Sequence, residues 1–153
     1  MKYILALMLL VCVGCGSKFA DKAVSKDLED EAPPVVNCGD QDDLDVAVVD
    51  GENRVVNIAV GGKLLKTIEV PGFSLGEARK TKEGFDISIE YGSRYYFSKR
   101  LMFECKKDGF YLTKIKVESF DKTNPSKWTN KTVMVKPPVS LRDFQLMKYA
   151  VGE

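Results

Sequence analysis

From Leu44 to Val135 the chain alternates between apolar and polar residues with a period near two, the mark of half-buried β-strands. Leu44–Asp50 is a short apolar run ending in Asp50-Gly51, a hairpin signal. Arg54–Val60 follows, then Gly61-Gly62, a second two-residue turn, then Lys63–Val70. Val56, Ile58 and Val60 share one face; Leu64, Ile68 and Val70 share a face on the next strand. Pro71-Gly72 closes this meander, and a loop containing Arg79, Lys80 and Lys82 comes next.

Beyond that loop the alternation is cleaner. Phe85, Ile87, Ile89 and Tyr91 alternate with Asp86, Ser88 and Glu90. Tyr95, Phe97, Leu101, Phe103 and Cys105 share one face of a long strand, and Lys107-Asp108-Gly109 turns the chain. Phe110–Phe120 returns, with Tyr111, Thr113, Ile115 and Val117 on one side and Lys114, Lys116 and Glu118 on the other. Trp128–Val135 is one more strand. Pro137-Pro138 breaks it, and Ser140 with Asp143 resembles a capping box, which predicts a short helix carrying Leu141, Phe144, Met147 and Val151 at helical spacing. The expected fold is mainly β: an antiparallel sheet or sandwich of about 6–7 strands with a short C-terminal helix.

The length of 153 residues suits one domain, and 44% apolar residues suffice for a core. A net charge of +1 conceals a strong polarity. Asp21–Glu52 holds eleven acids and two bases; from Asn53 onward there are eleven acids and nineteen lysines and arginines. Most such charge only solvates a surface, but a basic body can also meet an acidic partner or anionic lipid head groups.

The first fourteen residues break the strand pattern altogether. Lys2 precedes an uncharged run from Tyr3 to Ser17, too short to span a bilayer, which takes about 20 apolar residues. The run closes on Val13-Gly14-Cys15. This start resembles the signal peptide and lipobox of bacterial lipoproteins, with Cys12 where the lipobox usually has leucine. The resemblance implies cleavage before Cys15 and a diacylglyceryl group on its sulfur. Acyl chains anchor by about 0.8 kcal/mol per buried methylene, so two or more hold stably. Residues 1–14 are then the leader, 15–36 the lipidated start and an acidic stalk ending in Pro33-Pro34, and 37–153 one periplasmic domain. Gly16 and Ser17 after the cysteine are similar to lipoproteins sorted to the outer membrane; without an outer membrane, the anchor lies in the cell membrane.

Cys38 and Cys105 then remain. In an oxidising compartment such a pair reads as a disulfide, worth about 4 kcal/mol on the chain-entropy account; the alternative is two free buried thiols.

The chain contains no histidine, which removes Ser-His-Asp and Cys-His catalysis and histidine-based zinc sites. Gly72-Phe73-Ser74-Leu75-Gly76 has the spacing of a nucleophile elbow without the histidine that motif needs. Ser119-Phe120-Asp121-Lys122 has Ser-x-x-Lys spacing, but it falls at a strand end rather than a helix start. Counted from Asp40, an EF-hand loop would need glycine sixth and glutamate twelfth, where Asp45 and Gly51 stand. The expectation is a non-enzymatic protein with no metal and no cofactor beyond the lipid on Cys15.

Aromatics (Tyr91, Tyr95, Tyr96, Phe97, Phe110, Tyr111, Trp128) interleave with Lys99, Arg100, Lys106, Lys107, Lys114 and Lys116. An exported, lipid-anchored chain does not meet nucleic acid, so this composition points to a protein partner, with Tyr96, Arg100, Lys114, Lys116 and Trp128 as contact residues. The stretch from Arg94 to Ile115 looks like small exported lipoproteins of the immunity or inhibitor type. That resemblance implies a protein that blocks a toxin or cell-wall hydrolase; the alternative is an accessory lipoprotein of an envelope or secretion assembly.

Overall fold

A computed structural model describes residues 42–50 and 54–151; Cys12, Cys15, Cys38 and the stalk lie outside them. The described residues form β1 (Leu44–Val49), β2 (Val55–Val60), β3 (Lys63–Glu69), β4 (Ser74–Lys80), β5 (Gly84–Tyr91), β6 (Tyr95–Lys106), β7 (Gly109–Asp121), β8 (Asn124–Ser140) and α1 (Leu146–Ala150). The fold is mainly β, as the alternation predicts. Strands β1-β2-β3 make one antiparallel sheet and β4-β5-β6-β7-β8 a second, each in sequence order. Such meanders need only short connections. Between β2 and β3, Gly61 and Gly62 both take positive φ, 56° and 75°, as a two-residue hairpin of the favoured twist requires.

Both sheets and the C-terminal segment contribute to one core. Leu44, Val56, Ile58 and Ile68 come from the smaller sheet. Phe85, Ile87, Ile89, Leu101, Phe103, Phe110 and Leu112 come from the larger, and Leu141, Phe144, Leu146 and Ala150 from the C-terminal segment. Phe103 is the hub. It stacks on Phe85 at 4.6 Å and meets Phe144 edge-on at 5.0 Å. Phe85 in turn contacts Phe110 at 5.3 Å. Polar ties reach the same elements from outside: Lys66 Nζ donates to the Arg142 carbonyl (2.8 Å), and Lys80 Nζ to that of Asp42 (3.1 Å).

Several expectations are corrected. The described residues hold eight strands, because Ser74–Lys80 is a strand and not a loop. A bulge between Leu75 and Glu77 puts Leu75 and Ala78 inward, which erases the period of two by which a strand is recognised. A bulge between Ile58 and Ala59 does the same to the facing residues of β3: Leu65 packs on the core, while Leu64 is 56% exposed. In β7 a bulge at Thr113 reverses the face, so Phe110 and Leu112 are inward before it and Ile115 and Val117 after it, with Tyr111 outward. Tyr95, expected inward, is 53% exposed with Arg94 over its ring.

Pro137-Pro138 does not end the last strand. β8 runs from Asn124 to Ser140 through a cis Lys136–Pro137 bond. It is an edge strand, where a missing N–H costs no ladder bond. Ser140 and Asp143 do bond each other, with Ser140 Oγ donating to Asp143 Oδ2 (2.6 Å) and Asp143 N donating to Ser140 Oγ (3.2 Å). They close a turn rather than cap a helix. The helix starts at Leu146, and Met147 and Val151, expected inward, are 51% and 62% exposed.

Cys105 is disulfide-bonded. Its expected partner, Cys38, is outside the described residues.

Phe103→Ala should lower stability by about 3–5 kcal/mol in urea unfolding with an unchanged m-value. Val48→Ala, at a position 43% exposed, should stay within about 0.5 kcal/mol.

Candidate functional site

Because the inner rows of β5, β6 and β7 are fixed in the core, the alternate residues form an ordered outer face. Its cross-strand rows run over four strands. Asp86, Met102, Lys114 and Met134 lie side by side, as do Ser88, Arg100, Lys116 and Thr132, and then Glu90, Ser98, Glu118 and Asn130. The next row is aromatic: Tyr96 opposes Phe120 with ring centroids 4.9 Å apart, and Phe120 stacks on Trp128 at 5.3 Å and 9°.

All five residues expected to contact a partner are therefore on this face. Tyr96, Arg100, Lys114 and Lys116 are half-buried among neighbours, while Trp128 is 54% exposed. Phe120 was not among them, although it shares the parity of Lys114, Lys116 and Glu118. It joins Tyr96 to Trp128, so it belongs to the site.

The face is less basic than its lysines suggest. Lys114 Nζ reaches Glu104 at 2.6 Å, and Lys116 Nζ reaches Glu118 at 2.7 Å. The Lys114 hydrogen bond holds the Glu104 carboxyl below its usual range, and Glu104 in turn raises Lys114. Burial pushes the Tyr96 hydroxyl up, and the neighbouring Glu90 adds to it. Arg79 lies 3.7 Å from Asp86 and 3.6 Å from Glu77. Among the described residues, Arg100 has no carboxylate within ion-pair distance, though Asp86 is near enough to feel its charge. Among the basic residues of this face, Arg100 is thus the one most open to a new bidentate partner.

Two basic residues do other work. Lys99, counted with the basic set in the sequence, stands in the inward row of β6 and is 4% exposed. Its Nζ donates to the carbonyls of Ala150 (3.0 Å) and Tyr149 (3.4 Å), satisfying the end of α1. Burial lowers its pKa. Lys106 sits over the Tyr111 ring at the far end of the sheet, 5.6 Å from its centroid.

A groove of about 660 Å³ opens at that end, lined by Leu64, Phe110, Tyr111, Pro138, Leu141 and Arg142 among others. These residues come from segments far apart in sequence, so no local pattern announces them. The Ser-x-x-Lys serine, Ser119, pairs with the Thr129 hydroxyl at 2.6 Å across the β7–β8 ladder. Ser74 and Gly76 lie in β4, strand rather than elbow. Among the described residues no group of three metal-ligating side chains converges, and no helix is long and apolar enough to cross a membrane.

No family model, curated protein or solved structure matches the chain. The functional reading therefore rests on its own residues.

Asp86 gives a pH prediction. Burial raises its carboxyl pKa, against the opposing charges of Arg100 and Arg79. A group with a raised folded pKa contributes stability below its unfolded value, near pH 4, and loses it as pH rises through the folded value. Asp86→Asn should therefore have a higher urea midpoint than the parent at pH 7. The two midpoints should converge below about pH 4.

Proposed function

We propose that the chain is a lipid-anchored, exported binding protein that engages another protein through the outer face of its five-stranded sheet. The observation that carries this reading is the Tyr96–Phe120–Trp128 ladder, on the same sheet face as Arg100 and separated from it by the Glu90–Ser98–Glu118–Asn130 row. Tyrosine, tryptophan and arginine dominate interface energetics because they bury large rigid area and still keep a polar handle. Here they share one face of a rigid sheet, which limits the ordering cost of binding. The ion pairs of Lys114 and Lys116 frame the ladder with neutralised polar groups, as an interface rim requires.

The partner class is a toxin or cell-wall hydrolase that the domain blocks. The resemblance to immunity-type lipoproteins read from Arg94–Ile115 motivates this class, and that stretch runs along β6 into β7, two strands of the face. The anchor rests on the Cys15 junction, and the outer membrane on Gly16 and Ser17.

Two measurements test the proposal. In cell fractionation, Cys15→Ser should move the protein out of the membrane fraction, while Cys12→Ser should leave it there; equal behaviour of the two variants would remove the anchor. For the face, a photo-cross-linking amino acid at position 132 in intact cells should give one discrete adduct, and Arg100→Glu should abolish it. The same probe at position 64, in the distant groove, should give none. Adducts of equal yield at both positions, or none at position 132, would overturn the assignment of the face.

A further inference from the structure

The five-stranded sheet has two edges, and they are built differently. β4 carries a bulge between Leu75 and Glu77, and its end is tied by Lys80 to the segment before β1. β8 is the longest strand, 17 residues, and no described strand pairs with its outer side. Every residue from Ser126 to Met134 is exposed. The exposure includes apolar groups on both faces of the strand: Trp128 and Met134 on the outer face, at 54% and 52%, and Val133 on the core side, at 39%. An open edge with apolar side chains is a template for another strand, which natural proteins normally blunt.

The blunting here is chemical. Lys127, Lys131 and Lys136 are spaced along the edge, and the structure records no ion pair for any of them among the described residues. Three lysines on one strand repel a second copy of the same strand, so they disfavour self-pairing. The same charges attract an acidic strand. Opposite-charge cross-strand pairs stabilise a ladder, and main-chain bonds supply affinity without regard to sequence.

We infer that β8 is a strand-addition site for an extended acidic segment of a partner protein. Glutamates or aspartates of that segment would lie against Lys127 and Lys131 on one face of the strand, with apolar residues beside Trp128 and Met134 on the other. This rests on the reading of the domain as a protein-binding module and specifies the partner's chemistry. It also connects edge to face, since Trp128 closes the aromatic ladder and belongs to β8.

Trp128 is the only tryptophan in the chain, so its emission reports on this edge. The probe is a synthetic peptide of about ten residues, strand length, alternating valine with glutamate. With the full-length protein it should give a saturable shift in Trp128 emission. A version with lysine for glutamate should give none. A version N-methylated at alternate amides, which cannot complete the ladder, should bind at least about tenfold more weakly. Combined Lys127→Glu, Lys131→Glu and Lys136→Glu, all at exposed positions, should weaken the glutamate peptide by about tenfold or more. No saturable shift with the glutamate peptide, or equal binding of the lysine or N-methylated version, would overturn the inference. A cross-link at position 132 without saturable peptide binding would sink the edge assignment and leave the face assignment standing.

Discussion

The register between β5 and β6 is the constraint on which the rest of the structure depends. Phe85 lies opposite Phe103 and Ile87 opposite Leu101, and none of the four is more than 1% exposed. The side-chain period of a strand is two, so seating this row inward sends Asp86, Ser88, Arg100 and Met102 outward together. A slip of one residue would bring Arg100 and Asp86 into the core and turn the phenylalanines to water. That cost, several kcal/mol for each buried charge, far exceeds what any single surface contact returns. The outer face is as well defined as the core because it is the core's complement.

Lys99 shows how closely that rule is held. It occupies an inward position of β6, where its neighbours in the row are Phe97, Leu101 and Phe103. A charge there is tolerable because its ammonium donates to the carbonyls at the end of α1, which would otherwise be buried acceptors. One polar side chain and one helix end satisfy each other. The C-terminal segment is thereby joined to the sheet by a directional contact as well as by Phe144 and Leu146.

The sequence made the fold class readable because most strands keep their period. It concealed the places where one residue is inserted. Gly76 in β4 and Thr113 in β7 sit at bulges, and each shifts the inward set by one, so alternation counted through them assigns the wrong face. For this reason β4 does not read as a strand from alternation alone, and Tyr111 faces outward where alternation puts it inward. The C-terminal turn illustrates a different limit. Ser140 and Asp143 make the bonds of a capping box, but local bonding does not decide whether a helix follows, since Phe144 and Leu146 are buried by tertiary packing. For the candidate face, Arg100, Lys114 and Lys116 were legible as exposed residues of one parity. Their neutralising partners were not, because Glu104 and Glu118 acquire their roles only through cross-strand and same-face proximity.

The unequal edges of the larger sheet have a bearing on assembly. An indefinite ladder needs two edges, each able to accept the other. Here one edge is bent by a bulge at Leu75 and Glu77 and tied down beside the first strand, and the other repels its own kind. The sheet can be lengthened at one side only. In the proposed strand addition its valency is one, so growth would stop at a single complex and would not propagate into a filament. Under the proposed lipid anchoring, which would bring copies together on a surface, that asymmetry separates a receptive edge from a polymerising one.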